Sequence, residues 1–106
     1  MVSTLGSDTF TSISAHDLHG KLGNIHLIDV RENDDFKEGH IPTSRNIPMD
    51  ILLKEPEKYI NKTDEYYIVC QAGVKSEKTC KELWSKGYKV INIKDGTDSY
   101  KQPLER

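Results

Sequence analysis

Residues 66–93 read YYIVCQAGVKSEKTCKELWSKGYKVINI. Tyr66 to Cys70 run without polar alternation, which suits a strand covered on both faces of a parallel sheet, and Val90 to Ile93 form a second such run. Between them, Val74 to Lys86 is read as a helix that packs Val74, Cys80, Leu83 and Trp84 and turns Glu77, Lys78, Lys81 and Glu82 to water. Gly87 supplies the stop. Strand, helix, strand over 28 residues is a βαβ unit. Its crossover is right-handed and its strands parallel, so an α/β architecture in three layers is predicted.

The flanking sequence extends that unit. Ile25 to Val30 is a third buried run, and Ser44 to Pro48 a further short strand. Asp50 starts a helical segment interrupted near Pro56 before Tyr59 and Ile60. Ser14 is the N-cap of a short helix through Leu22, which buries Ala15, Leu18 and Leu22 and closes at Gly23. Residues 1–10 read as a flexible lead-in, and residues 11–106 as a single domain. Leu, Ile, Val and Phe make up 25 of the 106 residues. That fraction exceeds the roughly 20 % below which disorder is the better reading, so a thin core is expected.

Fifteen basic residues against 17 acidic leave a net charge of −2, which gives no general attraction to nucleic acid or anionic membrane. With no targeting segment and no run of about 18 apolar residues, a cytoplasmic protein with neither nucleic-acid nor membrane partners is expected. His16, His19, His26 and His40 show no H-E-x-x-H pattern or Cys/His cluster, so no metal is expected. Cys70 and Cys80 are too few for a disulfide-built scaffold.

The loop Cys70-Gln71-Ala72-Gly73-Val74-Lys75-Ser76 leaves a strand and enters a helix, the place where open α/β sheets bind ligands. A turn wound around Gly73 can aim several backbone N–H groups inward, and the helix adds its unpaired first-turn donors and positive dipole end. The loop therefore reads as an anion cradle whose donors favour a thiolate at Cys70. Lys75 adds a point charge without the bidentate fork of Arg. Cys80, further along the helix beside Leu83 and Trp84, reads as core packing.

With these residues in place, the chain resembles a single-domain rhodanese, a thiosulfate sulfurtransferase-like protein, over roughly residues 11–102. The resemblance is carried by Leu27-Ile28-Asp29-Val30-Arg31, Phe36 and Glu38-Gly39-His40-Ile41-Pro42. Asn46-Ile47-Pro48 and the Cys70 to Ser76 loop complete it, with a weaker match from Gly87-Tyr88 through Tyr100. It implies a rhodanese-like fold with a mainly parallel central sheet flanked by helices. Cys70 is then the nucleophile and persulfide carrier, Gln71, Ala72, Gly73, Val74, Lys75 and Ser76 the substrate cradle, and Asp29 and Arg31 supporting residues. Implied partners are a small anionic sulfur donor, a thiol or cyanide acceptor and a sulfur-relay protein, with no metal or organic cofactor.

His40 is expected to shape its turn, and Arg45 to be solvated. Two positions depart from the family pattern: Lys75 where Arg is common, and Lys94-Asp95-Gly96 where a Gly-Gly pair is common, with a short last helix expected. Two rival functions stand beside sulfur transfer. One is a sulfur-carrier or docking module. The other is a cysteine-dependent phosphatase or arsenate reductase, whose loop would need Arg at the sixth position after Cys, where this chain has Ser76.

Overall fold

The computed structural model describes residues 9–106. Five strands, β1 (Thr11–Ile13), β2 (His26–Asp29), β3 (Arg45–Asn46), β4 (Glu65–Val69) and β5 (Lys89–Ile93), form one sheet in the order β1-β5-β4-β2-β3. Every pairing is parallel, so the α/β reading and the parallel crossover from β4 to β5 both hold. Three α-helices accompany them: α1 (Asn33–Glu38), α2 (Met49–Lys54) and α3 (Val74–Ser85).

Strand side chains alternate between two cores. Ile28, Tyr66, Ile68, Cys70 and Val90 pack with Leu52 of α2 and Cys80 and Leu83 of α3. On the other face, Leu27, Val69 and Ile93 pack with Ala15, Leu18 and Ile41. Each fully buried Leu or Ile contributes about 1.5–3 kcal/mol, so these two layers hold the β4–α3 junction in place. Past the end of α3 the Gly87 N–H donates to the Trp84 carbonyl and the Tyr88 N–H to the Leu83 carbonyl, each at 3.0 Å. This paired closure is why the helix stops where Gly87 predicts.

Four local readings are corrected. Val74 is not on the packing face: it is 78 % exposed. Six residues is one and two-thirds turns, so it stands about 120° round the helix from Cys80. The helix expected from Ser14 to Leu22 is a 3-10 turn over Ala15–Leu18, because His19 adopts ψ 127° and the chain leaves helical geometry there. The segment at 11–13, where the single domain begins and to which the sequence assigns no element, is the edge strand β1. Helix α1 was not anticipated; none of its residues is buried, so it carries no apolar stripe. The lead-in expectation falls mostly on residues 1–8, outside the described residues.

The Ser14 cap does form, and it is tied across the molecule. Its side chain accepts from the His16 N–H at 3.2 Å and donates to Asp95 at 2.8 Å, while Ala15 N–H donates to the same carboxylate at 2.7 Å. Burial alone would raise the Asp95 carboxyl; these two donors, helped by Lys94, hold it below its ordinary value.

Candidate active site

Cys70 is the first residue beyond β4, and its side chain turns into the core layer under α3. The loop that follows curls back over the sulfur. The Gly73 and Ser76 N–H groups both donate to Sγ at 3.2 Å, and the Ser76 hydroxyl lies 3.5 Å from it. Only the backbone turn at Gly73 permits this: its φ is +103°, and a Cβ there would collide with the Lys94 carbonyl. The Val74 and Lys75 N–H groups open α3 and have no acceptor among the described residues. The sulfur therefore sits in a ring of donors, some of them unused, although the residue is only 3 % exposed.

Two supports hold that ring. Asp29 and Arg31, at the end of β2, form a buried pair at 2.8 Å, 0 % and 6 % exposed. Arg31 grips both carboxylate oxygens through Nε and Nη2, donates to the Gly39 carbonyl at 2.8 Å, and reaches Gln71 Oε1 at 3.2 Å. The guanidinium thus links β2, the end of α1 and the cradle loop, and its burial makes it more than a surface ion pair. Asn46 fixes the same strand end by donating to the Asp29 and Arg31 carbonyls, both at 3.0 Å. The second support is the Lys94–Thr97 turn. Thr97 N–H donates to the Cys70 carbonyl at 2.9 Å and Asp98 N–H to the Gln71 carbonyl at 3.0 Å. Gly96 lies so close to those carbonyls that a Cβ would strike them.

A model of the Rhodanese-like domain matches residues 14–103. The chain belongs to the rhodanese family. It is 36 % identical over 72 residues to the putative sulfurtransferase YtwF of Bacillus subtilis, covering 68 % of this chain and 69 % of that one. To the putative sulfur carrier protein YrkF of the same organism it is 34 % identical over 74 residues, 69 % of this chain but only 40 % of that longer protein. Among solved structures, a rhodanese-like domain protein from Staphylococcus aureus superposes with a TM-score of 0.81 at 32 % identity, over 91 % of this chain and 97 % of that one.

Within this rhodanese domain, not every residue singled out from sequence meets at the cradle. Gln71, Gly73 and Ser76 touch Cys70, Arg31 or the loop directly. Lys75 is exposed, with Nζ 3.9 Å from Glu32 Oε2, so its charge is shared rather than free. His40 stacks on Phe36 at 3.8 Å between ring centroids and joins Glu105 through a backbone bridge, which fits a turn-shaping residue. Arg45 is exposed and donates to the Tyr59 carbonyl at 3.5 Å. Cys80 is fully buried; burial first, then the charges of Cys70 and Glu77, push its thiol up to about 12.

Sequence reasoning gave no role to Gly96 or Thr97, which brace the cradle from the turn that follows β5. The one available signal was the departure at Lys94-Asp95-Gly96. Gly96 is the glycine retained there, and its missing Cβ is what the Cys70 and Gln71 carbonyls require.

Proposed function

We propose that this rhodanese domain is a sulfurtransferase that moves a sulfane sulfur through a persulfide on Cys70. The observation that carries the reading is the Cys70 sulfur held by the Gly73 and Ser76 N–H groups at 3.2 Å, with the Val74 and Lys75 donors still open. The names of YtwF and YrkF lend it support. The Cys70 thiolate attacks the outer sulfur of thiosulfate or of another persulfide donor. The donor's S–S bond breaks, and sulfite or a thiolate departs with the electron pair. The outer sulfur of the new persulfide then lies toward the unused donors, which stabilise its charge as oxyanion-hole donors do. A thiolate or cyanide attacks that sulfur in turn and returns Cys70 as thiolate, the two displacements of covalent catalysis.

Intact mass before and after thiosulfate tests this. One added sulfur atom, mapped to Cys70 and removed by cyanide, is the expected result; a sulfur mapped to Cys80 overturns it. YrkF's name favours a second reading, a carrier loaded by another protein. Persulfide gain from a protein donor, without gain from thiosulfate, would select it.

A further inference from the structure

Next to the cradle, and separate from its ring of donors, runs an open groove of about 360 Å³. Asp35, Glu38 and Asp98 line it, with Gln71, Thr97 and Leu104 between them. None of those three carboxylates has a cationic partner among the described residues, and only Asp98 is engaged, accepting from the Gln71 side-chain amide through one oxygen. Arg31 reaches the groove, but Asp29 already balances it at 2.8 Å. Lys75, the cation of the cradle loop, leans on Glu32, and Arg106 donates to the backbone carbonyl of Glu38 rather than to a carboxylate. The groove beside the nucleophile is therefore acidic, although the neighbouring loop is built to hold an anion.

A second observation is independent of charge. Thr97 is only 6 % exposed, yet its Oγ1, on a residue that lines the groove, has no hydrogen-bond partner. A buried hydroxyl left unpaired carries an uncompensated desolvation cost, which a ligand supplying a donor offsets. Leu104, 42 % exposed, gives the groove an apolar footing that suits the methylene stem of a long basic side chain.

We infer that this groove docks a lysine- or arginine-bearing segment of a protein whose cysteine takes the sulfur from Cys70. The inference rests on the sulfur-transfer reading and names the acceptor for it. The basic head is held by Glu38, Asp35 and Asp98, and a turn of the Thr97 side chain brings its buried Oγ1 to the same head, while the partner's cysteine reaches the cradle next door. Its thiolate attacks the outer sulfur of the Cys70 persulfide. The S–S bond to Sγ breaks, the electron pair stays on Sγ among its N–H donors, and the partner leaves as a persulfide. The shared backbone makes the two sites adjacent, since Thr97 and Asp98 donate to the carbonyls of Cys70 and Gln71.

The test uses the full chain, loaded with sulfur from thiosulfate, and three capped peptides with a central cysteine flanked by lysines, serines or glutamates. At low salt the lysine peptide is expected to be sulfurated about tenfold faster than the glutamate peptide, with the gap closing as salt screens it. The paired change Asp35→Asn with Glu38→Gln is expected to bring that ratio to within about threefold. A ratio unchanged by those substitutions, and so set by the peptides' own thiols, overturns the inference. A second measurement needs no chemistry. Lysine and glutamate peptides with serine in place of cysteine are titrated into Cys70→Ser protein and followed by amide NMR. Shifts at Glu38, Thr97 and Asp98 with the lysine peptide alone support the groove, and equal or scattered shifts reject it. If thiosulfate loads no sulfur onto Cys70, the sulfur-transfer reading fails while the titration still decides the groove; if Cys70 is loaded and no peptide is sulfurated, the inference fails and the reading stands.

Discussion

Cys70 and Cys80 belong to one apolar cluster, and their exposures, 3 % and 0 %, hardly differ. Exposure does not separate a candidate nucleophile from a core residue. What separates them is the backbone around each sulfur. At Cys70 the strand has ended and the next helix has only begun, so N–H groups without ladder or helical partners converge on Sγ. At Cys80 the helix is in mid-course, its N–H groups are committed to the preceding turn, and nothing compensates burial. That thiol is accordingly pushed up to about 12. Secondary-structure boundaries are where a fold holds uncommitted donors, and chemistry that handles anions follows them.

The largest effect expected from breaking this contrast is at Cys70 itself. Cys70→Ser should lose the sulfur adduct and turnover altogether, whereas Cys80→Ser keeps both; mass spectrometry and a thiocyanate assay read the difference. Next is Arg31→Met, which leaves Asp29 buried without its partner and leaves the Gln71 side chain tied to Asp98 alone. A loss of about 3–5 kcal/mol in urea unfolding is expected, and a loss under about 1 kcal/mol would mean the pair does not brace the loop.

Gly73→Ala should make Cys70 resemble Cys80. The added Cβ meets the Lys94 carbonyl at a φ of +103°, so the turn has to open and its donors leave the sulfur. About 1–3 kcal/mol of destabilisation and at least a tenfold slower alkylation of Cys70 are expected; an unchanged rate would show that the donors do not activate the thiol.

The smallest effect concerns Cys80 and alkali. Its folded thiol keeps its proton to about 12, whereas the unfolded thiol ionises near its ordinary value of 9.0. Above about pH 9 the unfolded state therefore binds fewer protons, and stability falls as pH rises toward the folded value. Cys80→Ala costs about 1 kcal/mol at neutral pH but should show a shallower decline between pH 9 and 11 in urea melts. Parallel declines would mean that Cys80 takes no part in it.

The β4–α3–β5 unit was legible because two apolar runs flank a helix with a polar face and a glycine stop, all of it local patterning. The cradle was legible for the same reason: a cysteine, a glycine and a lysine fall within six residues at the junction. Strand β1 was not, because three residues carry no period, and its strand character comes from pairing with β5 through Thr11 and Ile91, Ser12 and Asn92, Ile13 and Ile93. Nor was α1, which buries nothing.

What the sequence by itself determined is the β4–α3–β5 unit and the position of one cysteine at a strand end, since hydrophobic period and turn residues act over a few neighbours. Only the tertiary structure decided what surrounds that cysteine. Gly96 against the Cys70 carbonyl, Arg31 against Gln71, and unpaired Asp35 and Glu38 beside Asp98 are meetings of residues 26 to 63 positions apart along the chain. Such separations leave no local pattern, because they are set by how the parallel strands bring their C-terminal ends to one edge of the sheet.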